Sequence, residues 1–367
     1  MMLGLQSKFD DSVERNNGLS RPQLANSSVN SMVAQPALDK TQQWSVLPQI
    51  AVVIPIYNGE KDLPGLTGCL LAQTYPPERV EYLLVDNGSC DRTPELIEQA
   101  VIQANTKGLT FRHLSEPHIQ SAYAARNTGI RAAKGEFIAF TDADCYPRPD
   151  WLTTLVQPFV NPEIGLVVGE IKALPGKTWL EKYAERKNIM SQRDTLAHPF
   201  CPYGQTANIA IRTKALEQIG LFRPHMTTGG DADICWRVQQ QGGWKLQFAE
   251  QAVILHHHRT TLPDLHSQWR RYGRSNRYLH ELYGVQLTRS LTAKEIRYRL
   301  ARWLLKELPI AAYQFLTAKS PAIDMLMTPI DLYCAQARSK GQREFRLPEK
   351  AREWSDFQKP YTLPPQT

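Results

Sequence analysis

Two aspartates one residue apart, Asp142 and Asp144, directly follow a short apolar run, 136-EFIAFT-141. Asp86 follows an earlier apolar run, 81-EYLLV-85, in the same manner. If both runs are parallel strands, the aspartates lie at the sheet edge where open α/β sheets bind ligands. Carboxylates suit Mg²⁺ or Mn²⁺, and a metal held there could neutralise a diphosphate. The pair alone does not separate a metal site from an ordinary turn, because aspartate is also common in turns.

The segments around these aspartates alternate between apolar runs and helical patterns. The predicted strands are 49–58, 81–86, 109–114 and 136–141, followed beyond residue 150 by 164–170, 206–212 and 252–258. The predicted helices are those up to about residue 75, from Asp91 to Asn105, and at 119–134, 178–195 and 231–241. Asp91 is expected to cap its helix. This alternation predicts βαβ units, a mainly parallel sheet and right-handed crossovers.

Five motifs carry a resemblance to a known family. They are 53-VIPIYNGE-60, 84-LVDNGSCDRT-93, 124-AARNTGIRAAKGEFIAFTDADC-145, 229-GGDADICWR-237 and 253-VILHHHR-259. In order and spacing they resemble the inverting glycosyltransferases of family 2, over roughly residues 48–280. The resemblance implies the GT-A fold, a mixed, mainly parallel sheet flanked by helices. It also implies transfer of a sugar from a UDP- or GDP-type donor with inversion.

The resemblance also implies a role for each matching residue. Pro55 and Tyr57 would line the nucleotide pocket, and Asp86 would bind the base or ribose. Arg126 would approach the base or diphosphate, and Asp142 would hold the ribose or donor sugar. Asp144 would ligate Mg²⁺ or Mn²⁺, His256 would contact the metal or diphosphate, and Asp231 would be the general base. Arg126 could instead be a solvated helix residue, and His256 a strand-end histidine without a ligand.

One position departs from the family pattern. An acidic pair is usual before the base, whereas Gly230 precedes Asp231 here. This departure leaves open whether Asp231 or Asp233 is the reactive acid. On a helix Asp233 can pair with Arg237 four residues later, so Asp233 is assigned a structural role and Asp231 the chemistry.

The C-terminal region is basic. Residues 256–306 hold eleven Lys/Arg against three acidic residues, a local charge of +8 in a chain whose net charge is +7. A cluster of this kind suggests phosphate, nucleic acid or an anionic membrane surface. No nucleic-acid-binding motif is visible in it, so no nucleic-acid partner is expected.

Two segments of this region suggest contacts with an acceptor or a membrane. The stretch 268-QWRRY-272 resembles the Gln-x-x-Arg-Trp motif of processive family members, which implies that Gln268 and Arg271 contact the acceptor end and the diphosphate. An ordinary basic helix is the alternative. Residues 296–315 predict an amphipathic helix with a cationic face, kinked or divided at Pro309. Its apolar face, with Trp303, is expected either to enter a membrane interface or to pack on the protein.

The acceptor would be a glycan or a lipid-linked molecule. The apolar run 308-LPIAAYQFLTA-318 is too short to span a bilayer, whereas processive members carry several spans, so addition of a single sugar is expected. In addition, Arg270, Arg271, Arg274 and Arg277 are candidates for contacts with lipid phosphates or an acceptor pyrophosphate. Cell-surface or exopolysaccharide synthesis is the expected process.

The predicted organisation has four parts. These are a disordered leader at 1–47, a GT-A catalytic domain at 48–260, a basic amphipathic helical region at 261–345 and a flexible tail at 346–367. The six cysteines form no Cys-x-x-Cys pair, and residues 1–20 contain no apolar segment typical of a signal peptide. A cytoplasmic protein is therefore expected, with peripheral binding to the inner face of the plasma membrane as the alternative to a freely diffusing protein.

Three other functions are compatible with parts of the sequence. A nucleotidyltransferase would share the sheet and the metal, but the loop after the first strand contains one glycine rather than a glycine-rich run. A degenerate transferase that only binds sugar nucleotides is suggested by Gly230. A non-catalytic binding module would use the basic segment but leave the five motifs unexplained.

Overall fold

The structure is a computed structural model that describes residues 46–352. Within this range the chain forms two compact units, one of residues 46–172 with 191–255 and the other of residues 173–190 with 256–352. The predicted leader at 1–47, apart from its last two residues, lies outside the described residues. The same holds for most of the predicted tail at 346–367.

The first unit is built on an eight-stranded sheet. Its strands are β1 (Ile50–Ile56), β2 (Val80–Asp86), β3 (Thr110–Ser115), β4 (Phe137–Phe140), β5 (Cys145–Pro147), β6 (Ile164–Ala173), β7 (Ile209–Arg212) and β8 (Lys245–His256). The order across the sheet is β3-β2-β1-β4-β7-β6-β8-β5. β1 pairs in parallel with β2 and β4, and β2 with β3, whereas β7 is antiparallel to β4 and β6. The mixed sheet predicted from the sequence is confirmed.

Helices accompany these strands, and two of them, at residues 151–156 and 213–219, are additional to those that the sequence predicts. The helices are α1 (Leu63–Leu71), α2 (Thr93–Asn105), α3 (Ala122–Ala132), α4 (Trp151–Val156), α6 (Gln192–Leu196), α7 (Thr213–Ile219) and α8 (Gly230–Gln240), with α5 (Trp179–Arg186) in the second unit. Short 3₁₀ turns occur at Pro77–Arg79, Gln157–Val160 and Thr206–Asn208. β1 is buried over almost its whole length, which agrees with the continuous apolar run of a central parallel strand.

Two local predictions differ from the structure. α2 begins at Thr93 with Arg92 at its N-cap, whereas the sequence predicted Asp91 there. Asp91 instead accepts hydrogen bonds from the amide and hydroxyl of Thr93, and these bonds lower the pKa of its carboxyl. The single helix predicted at 178–195 is two helices, α5 and α6, because Asn188 and Met190 have positive φ angles that end α5.

The second unit is helical. It contains α9 (Leu262–Tyr283), α10 (Ala293–Arg302), a π-helical turn (Trp303–Glu307), α11 (Leu308–Leu316), a 3₁₀ turn (Ala322–Leu326), α12 (Met327–Glu344) and α13 (Glu349–Arg352). The predicted 296–315 helix is helical throughout, and a π-helical turn rather than a break precedes Pro309 in the first turn of α11. Among residues 46–352, none of the helices combines the length and apolar character needed to cross a bilayer.

Candidate functional site

The first two motifs are joined to each other by hydrogen bonds between their loops. The amide of Asn58 donates to Oγ of Ser89, and the amide of Cys90 donates to Oδ1 of Asn58, both at 2.9 Å. The amide of Gly59 donates to Oγ1 of Thr93 at 2.8 Å. The polar residues that follow β1 and β2 therefore bind each other, although they are more than thirty residues apart in the sequence. The loops form one preorganised edge.

Asp86 lies on that edge, at the end of β2. In the parallel pair it stands opposite Ile56, and its Oδ1 accepts a hydrogen bond of 3.1 Å from the amide of Ser89. The side chain of Asp86 is buried, whereas Tyr57, just after β1, is half exposed. Pro55 lies within β1, two residues earlier. All three predicted nucleotide-pocket residues therefore belong to adjacent strands or the turn that follows them.

Arg126, on α3, pairs with Asp142, which follows β4. Nη2 of Arg126 lies 2.6 Å from Oδ1 of Asp142, and the arginine is only 4% exposed. Burial by itself lowers the pKa of Arg126, but the carboxylates of Asp142 and Asp231 outweigh it, and the pKa is raised. Arg126 is therefore no solvated helix residue. It is a buried, fixed cation within electrostatic reach of two predicted site acids.

Of the two strand-end acids, Asp142 pairs with Arg126, and Asp144 is the one predicted to ligate a metal. Asp144 is partly exposed, and Cys145 beside it is buried. Burial, followed by the carboxylates of Asp144 and Asp142, raises the pKa of the Cys145 thiol well above its usual value. A neutral thiol is a poor ligand for a hard cation, whereas the carboxylates suit one. The donor set fits Mg²⁺ or Mn²⁺.

Asp231 lies in the first turn of α8, and two glycines bring it there. Gly229, the N-cap, has φ +82°, in the left-handed region that glycine adopts without strain. The amide of Gly230 donates to the hydroxyl of Tyr123, and a Cβ at position 230 would lie 2.7 Å from the Tyr123 ring. This contact gives a physical reason for glycine where the family usually has an acid, since the ring occupies the side chain's space.

Thr206 is the site residue that the sequence reasoning missed. Its hydroxyl donates a hydrogen bond of 2.7 Å to Oδ1 of Asp231, and Thr206 is 2% exposed. It belongs to the loop at 198–208, which also contacts α8 where Sγ of Cys235 donates to the carbonyl of Gly204 and Nε1 of Trp236 to that of Cys201. A threonine carries no charge and stands in no matching motif, so no sequence signal marked it.

Asp233 is a structural residue, as predicted. Its Oδ2 accepts from Nε and Nη2 of Arg237, at 3.1 and 2.9 Å, and its Oδ1 accepts from Arg223 at 3.0 Å. Asp233 and Arg237 are completely or almost completely buried, and Arg237 also donates to carbonyl groups at the end of α7. These hydrogen bonds and the ion pair stabilise the fold. The assignment of chemistry to Asp231 remains a prediction.

The remaining predicted site residues lie in the second unit. His256 ends β8 and is buried, with its ring 6.1 Å from that of His258. Burial, then the charge on His256, lowers the pKa of His258 to about 4. Gln268 is buried on α9 and donates to the hydroxyl of Tyr272, whereas Arg271 is exposed. The proposed roles of His256, Gln268 and Arg271 remain predictions.

Three of the four arginines suggested for phosphate contacts have partners inside this unit. Arg270 is bonded to Glu344, the guanidinium of Arg274 lies 3.8 Å from the centre of the Phe345 ring, and Arg277 donates to the carbonyl of Gln342. These contacts hold α9 against α12. Of the four, Arg271 is the exposed one.

Comparison with known protein families decides which family the site belongs to. Residues 51–220 match the family described as Glycosyl transferase family 2, and residues 137–334 match Glycosyl transferase family group 2. The chain belongs to glycosyltransferase family 2. The resemblance carried by the five motifs is therefore confirmed. In this transferase the motifs lie at the strand ends and helix starts described above.

Individual relatives extend this result. The transferase is 33% identical over 214 residues to glycosyltransferase AglE of Haloferax volcanii, covering 58% of this chain and 68% of AglE. It is 31% identical over 231 residues to a pre-mycofactocin glycosyltransferase of Mycobacterium tuberculosis, covering 62% of this chain but 46% of that protein's length. The mannosyltransferase PcManGT from Pyrobaculum calidifontis, solved with GDP-Man and Mn²⁺, is 18% identical. Its TM-score is 0.57 over 82% of this chain and 91% of PcManGT, which supports the predicted GT-A fold.

Proposed function

We propose that this glycosyltransferase moves a single sugar from a nucleotide-sugar donor to a hydroxyl of a glycan or lipid-linked acceptor, with inversion. The observation that carries the proposal is the position of Arg126. The buried guanidinium of Arg126 forms an ion pair with Asp142 and interacts electrostatically with the carboxylate of Asp231. The acid proposed to bind the donor and the acid proposed as base are therefore held near the same fixed cation.

Each residue at the site has a part in this mechanism. Asp86, at the edge formed by the first two motifs, accepts hydrogen bonds from the base or ribose, and Asp142, held by Arg126, accepts from ribose or donor sugar. Asp231 removes the proton of the acceptor hydroxyl as that oxygen attacks the anomeric carbon. The nucleoside diphosphate leaves from the opposite face, so one displacement inverts the centre. A single base suffices, unlike the two carboxylates of a hydrolase.

Asp144, with His256 as a second candidate ligand, would hold Mg²⁺ or Mn²⁺. When bound, the cation stabilises the charge that develops on the leaving diphosphate. The presence of GDP-Man and Mn²⁺ in PcManGT makes a GDP-type donor and Mn²⁺ the first combination to test, with UDP-type donors second. Gln268 and Arg271 are proposed to contact the acceptor end and the diphosphate.

The proposed setting is cell-surface or exopolysaccharide synthesis, on the cytoplasmic side of the plasma membrane. This location is supported by the basic helical unit and by the exposed apolar side chains of α10 and α11, which are features of proteins that bind a membrane surface. A lipid-linked acceptor would be found at the same surface.

The decisive experiment is the release of nucleoside diphosphate from a panel of sugar nucleotides, with and without Mn²⁺. In Asp231→Asn, turnover should fall about 10²–10⁴-fold, because the base is removed, while donor binding stays within about twofold. Asp144→Ala should weaken donor binding only when Mn²⁺ is present. Asp150→Asn, the same change at an exposed aspartate, is the control.

Four results would reject the proposal or a part of it. Near-normal turnover of Asp231→Asn excludes Asp231 as base, and an unchanged Mn²⁺ titration of Asp144→Ala excludes it as metal ligand. If the unaltered protein binds sugar nucleotides but releases no nucleoside diphosphate from any donor, it is a degenerate transferase that only binds them. Formation of a sugar nucleotide from nucleoside triphosphate would instead favour a nucleotidyltransferase.

A further inference from the structure

The second unit exposes an apolar surface along α10, the π-helical turn and α11. Of the fifteen large apolar side chains that are exposed among residues 46–352, nine lie between residues 298 and 326. The most exposed are Leu316 (81%), Leu305 (78%), Tyr298 (67%), Tyr313 (63%), Leu304 (57%) and Ile310 (48%). We call these six side chains the 298–316 surface. Exposed apolar residues concentrated in this manner mark an interaction site.

The opposite side of the same segment is already used for packing. Nε1 of Trp303 donates to the carbonyl of Met325, and Thr328 donates to Glu307. Ala311 is buried. The indole N–H of Trp303 is therefore bonded inside the unit, and the expectation that Trp303 enters a membrane interface stays a prediction. The 298–316 surface is a second apolar face, which these inward contacts hold in place.

Cations are interspersed along the helical segment that carries the 298–316 surface. The segment 293–319 has six Lys/Arg and two glutamates, a net charge of +4. Both glutamates have arginine partners, since Glu295 pairs with Arg289 and Glu307 with Arg302.

The cations that remain available lie at both ends and in the middle of the segment. Lys294, Arg297, Lys306 and Lys319 are exposed, and within residues 46–352 none of them forms an ion pair. An apolar strip bordered by unpaired cations matches the interface of an anionic bilayer, where acyl chains lie beneath negative headgroups.

We propose that the 298–316 surface docks on an anionic lipid bilayer, with its leucines and tyrosines in the interface and the four exposed cations among the headgroup phosphates. Charge decides between this occupant and a second copy of the chain. In a two-fold symmetric dimer the same patch meets itself, so the cations of one copy would face those of the other. A negatively charged surface removes that repulsion.

This inference deepens the proposed membrane location and does not depend on sugar transfer. Release of nucleoside diphosphate in solution tests the transferase, whereas vesicle binding tests the surface, so either can fail without the other. The measurement is cosedimentation of the full chain with vesicles of phosphatidylcholine alone or mixed with phosphatidylglycerol, at several salt concentrations.

We expect binding to the mixed vesicles that weakens as salt rises, and little binding to phosphatidylcholine alone. Leu305→Gln combined with Leu316→Gln should lower the partition coefficient roughly a hundredfold, at about tenfold for each leucine removed from the interface. Arg297→Gln combined with Lys306→Gln should lower it about 25-fold, since each cation near an anionic surface contributes about fivefold, or about 1 kcal/mol. The charge variant should also show a smaller salt dependence.

Matched controls lie in the first unit. Ile102→Gln changes an exposed apolar side chain, and Lys107→Gln an exposed cation, both away from the 298–316 surface. Neither should alter vesicle binding. All six altered side chains are on the surface, so thermal unfolding should show that every variant is folded.

Three results would overturn the proposal. The first is an unaltered chain that does not bind phosphatidylglycerol vesicles. The second is binding that the leucine variant leaves unchanged. The third is a dimer in sedimentation velocity without lipid that the leucine variant converts to monomer, with no vesicle binding, because the occupant would then be a second copy.

Discussion

Oγ1 of Thr206 lies 2.7 Å from Oδ1 of Asp231, and the threonine that donates this hydrogen bond is almost fully buried. Hydrogen bonds to a charged acceptor are shorter and stronger than neutral ones. The bond also favours the ionised form of the carboxylate, which is the form that a base requires. Thr206 is therefore a positioning residue for the proposed base, acting through Asp231 rather than on the substrate.

Removal of the hydroxyl should be visible in the pH profile. In Thr206→Val, the acidic limb of the kcat/KM profile should move to higher pH by about one to two units, because a hydrogen bond to a charged group is worth about 1.5–3 kcal/mol. The donor KM should be unchanged. Thr206→Ser, which keeps the hydroxyl, should restore the profile, and Thr153→Val, at an exposed position, should not change it. A lowered Tm with an unmoved acidic limb would show that Thr206 only stabilises the loop.

Arg126 and Asp142 provide a test of donor binding. Arg126→Met should raise the donor KM about tenfold to a hundredfold, because it removes a charge-assisted bond of 2.6 Å that fixes Asp142. Arg126→Lys should recover little of this loss, since a lysine lacks the planar guanidinium geometry. Titration calorimetry with the nucleoside diphosphate measures the effect directly. Arg131→Met, an exposed arginine on the same helix, is the control, and equal affinities in both methionine variants would contradict the role of Arg126.

Asp231 and Asp233 should separate cleanly in a stability measurement. Asp233→Asn should lower the free energy of unfolding by about 3–5 kcal/mol, because it leaves the buried Arg237 without its compensating charge. Asp231→Asn should lower it by less than about 1 kcal/mol, since an amide oxygen can still accept from Thr206. Urea unfolding followed by circular dichroism gives both values. If the two variants were equally stable, the division of roles between the two acids would be wrong.

Much of this architecture was predictable from the sequence because its signals are local. The runs that became β1, β2 and β4 are apolar and short, and each aspartate stands where its strand ends. Parallel pairing then places those ends on one edge without further information. The pair of Asp233 and Arg237 follows from helical spacing alone.

Other features depend on contacts that no local pattern encodes. Thr206 reaches Asp231 only because the loop at 198–208 folds along α8. The sequence predicted one apolar face for the segment at 296–315, because α-helical spacing places its apolar residues on one side. It did not predict that a second apolar face, the 298–316 surface, would be exposed. The π-helical turn at Trp303–Glu307 rotates the residues that follow it, so apolar side chains lie on an inner and an outer face.

The last prediction concerns the close approach of α9 and α12. A Cβ at Gly273 would lie 2.0 Å from the carbonyl oxygen of Arg338, and a Cβ at Gly341 would lie 2.0 Å from that of Arg270. Gly273→Ala must therefore push the helices apart, and we expect it to destabilise the protein by about 1–3 kcal/mol. Gly68→Ala, on α1 with no atom near its Cβ, should instead stabilise it by about 0.5–1 kcal/mol. Thermal unfolding of the two variants should thus shift in opposite directions, and an unchanged or raised Tm in Gly273→Ala would show that α9 and α12 are not in backbone contact.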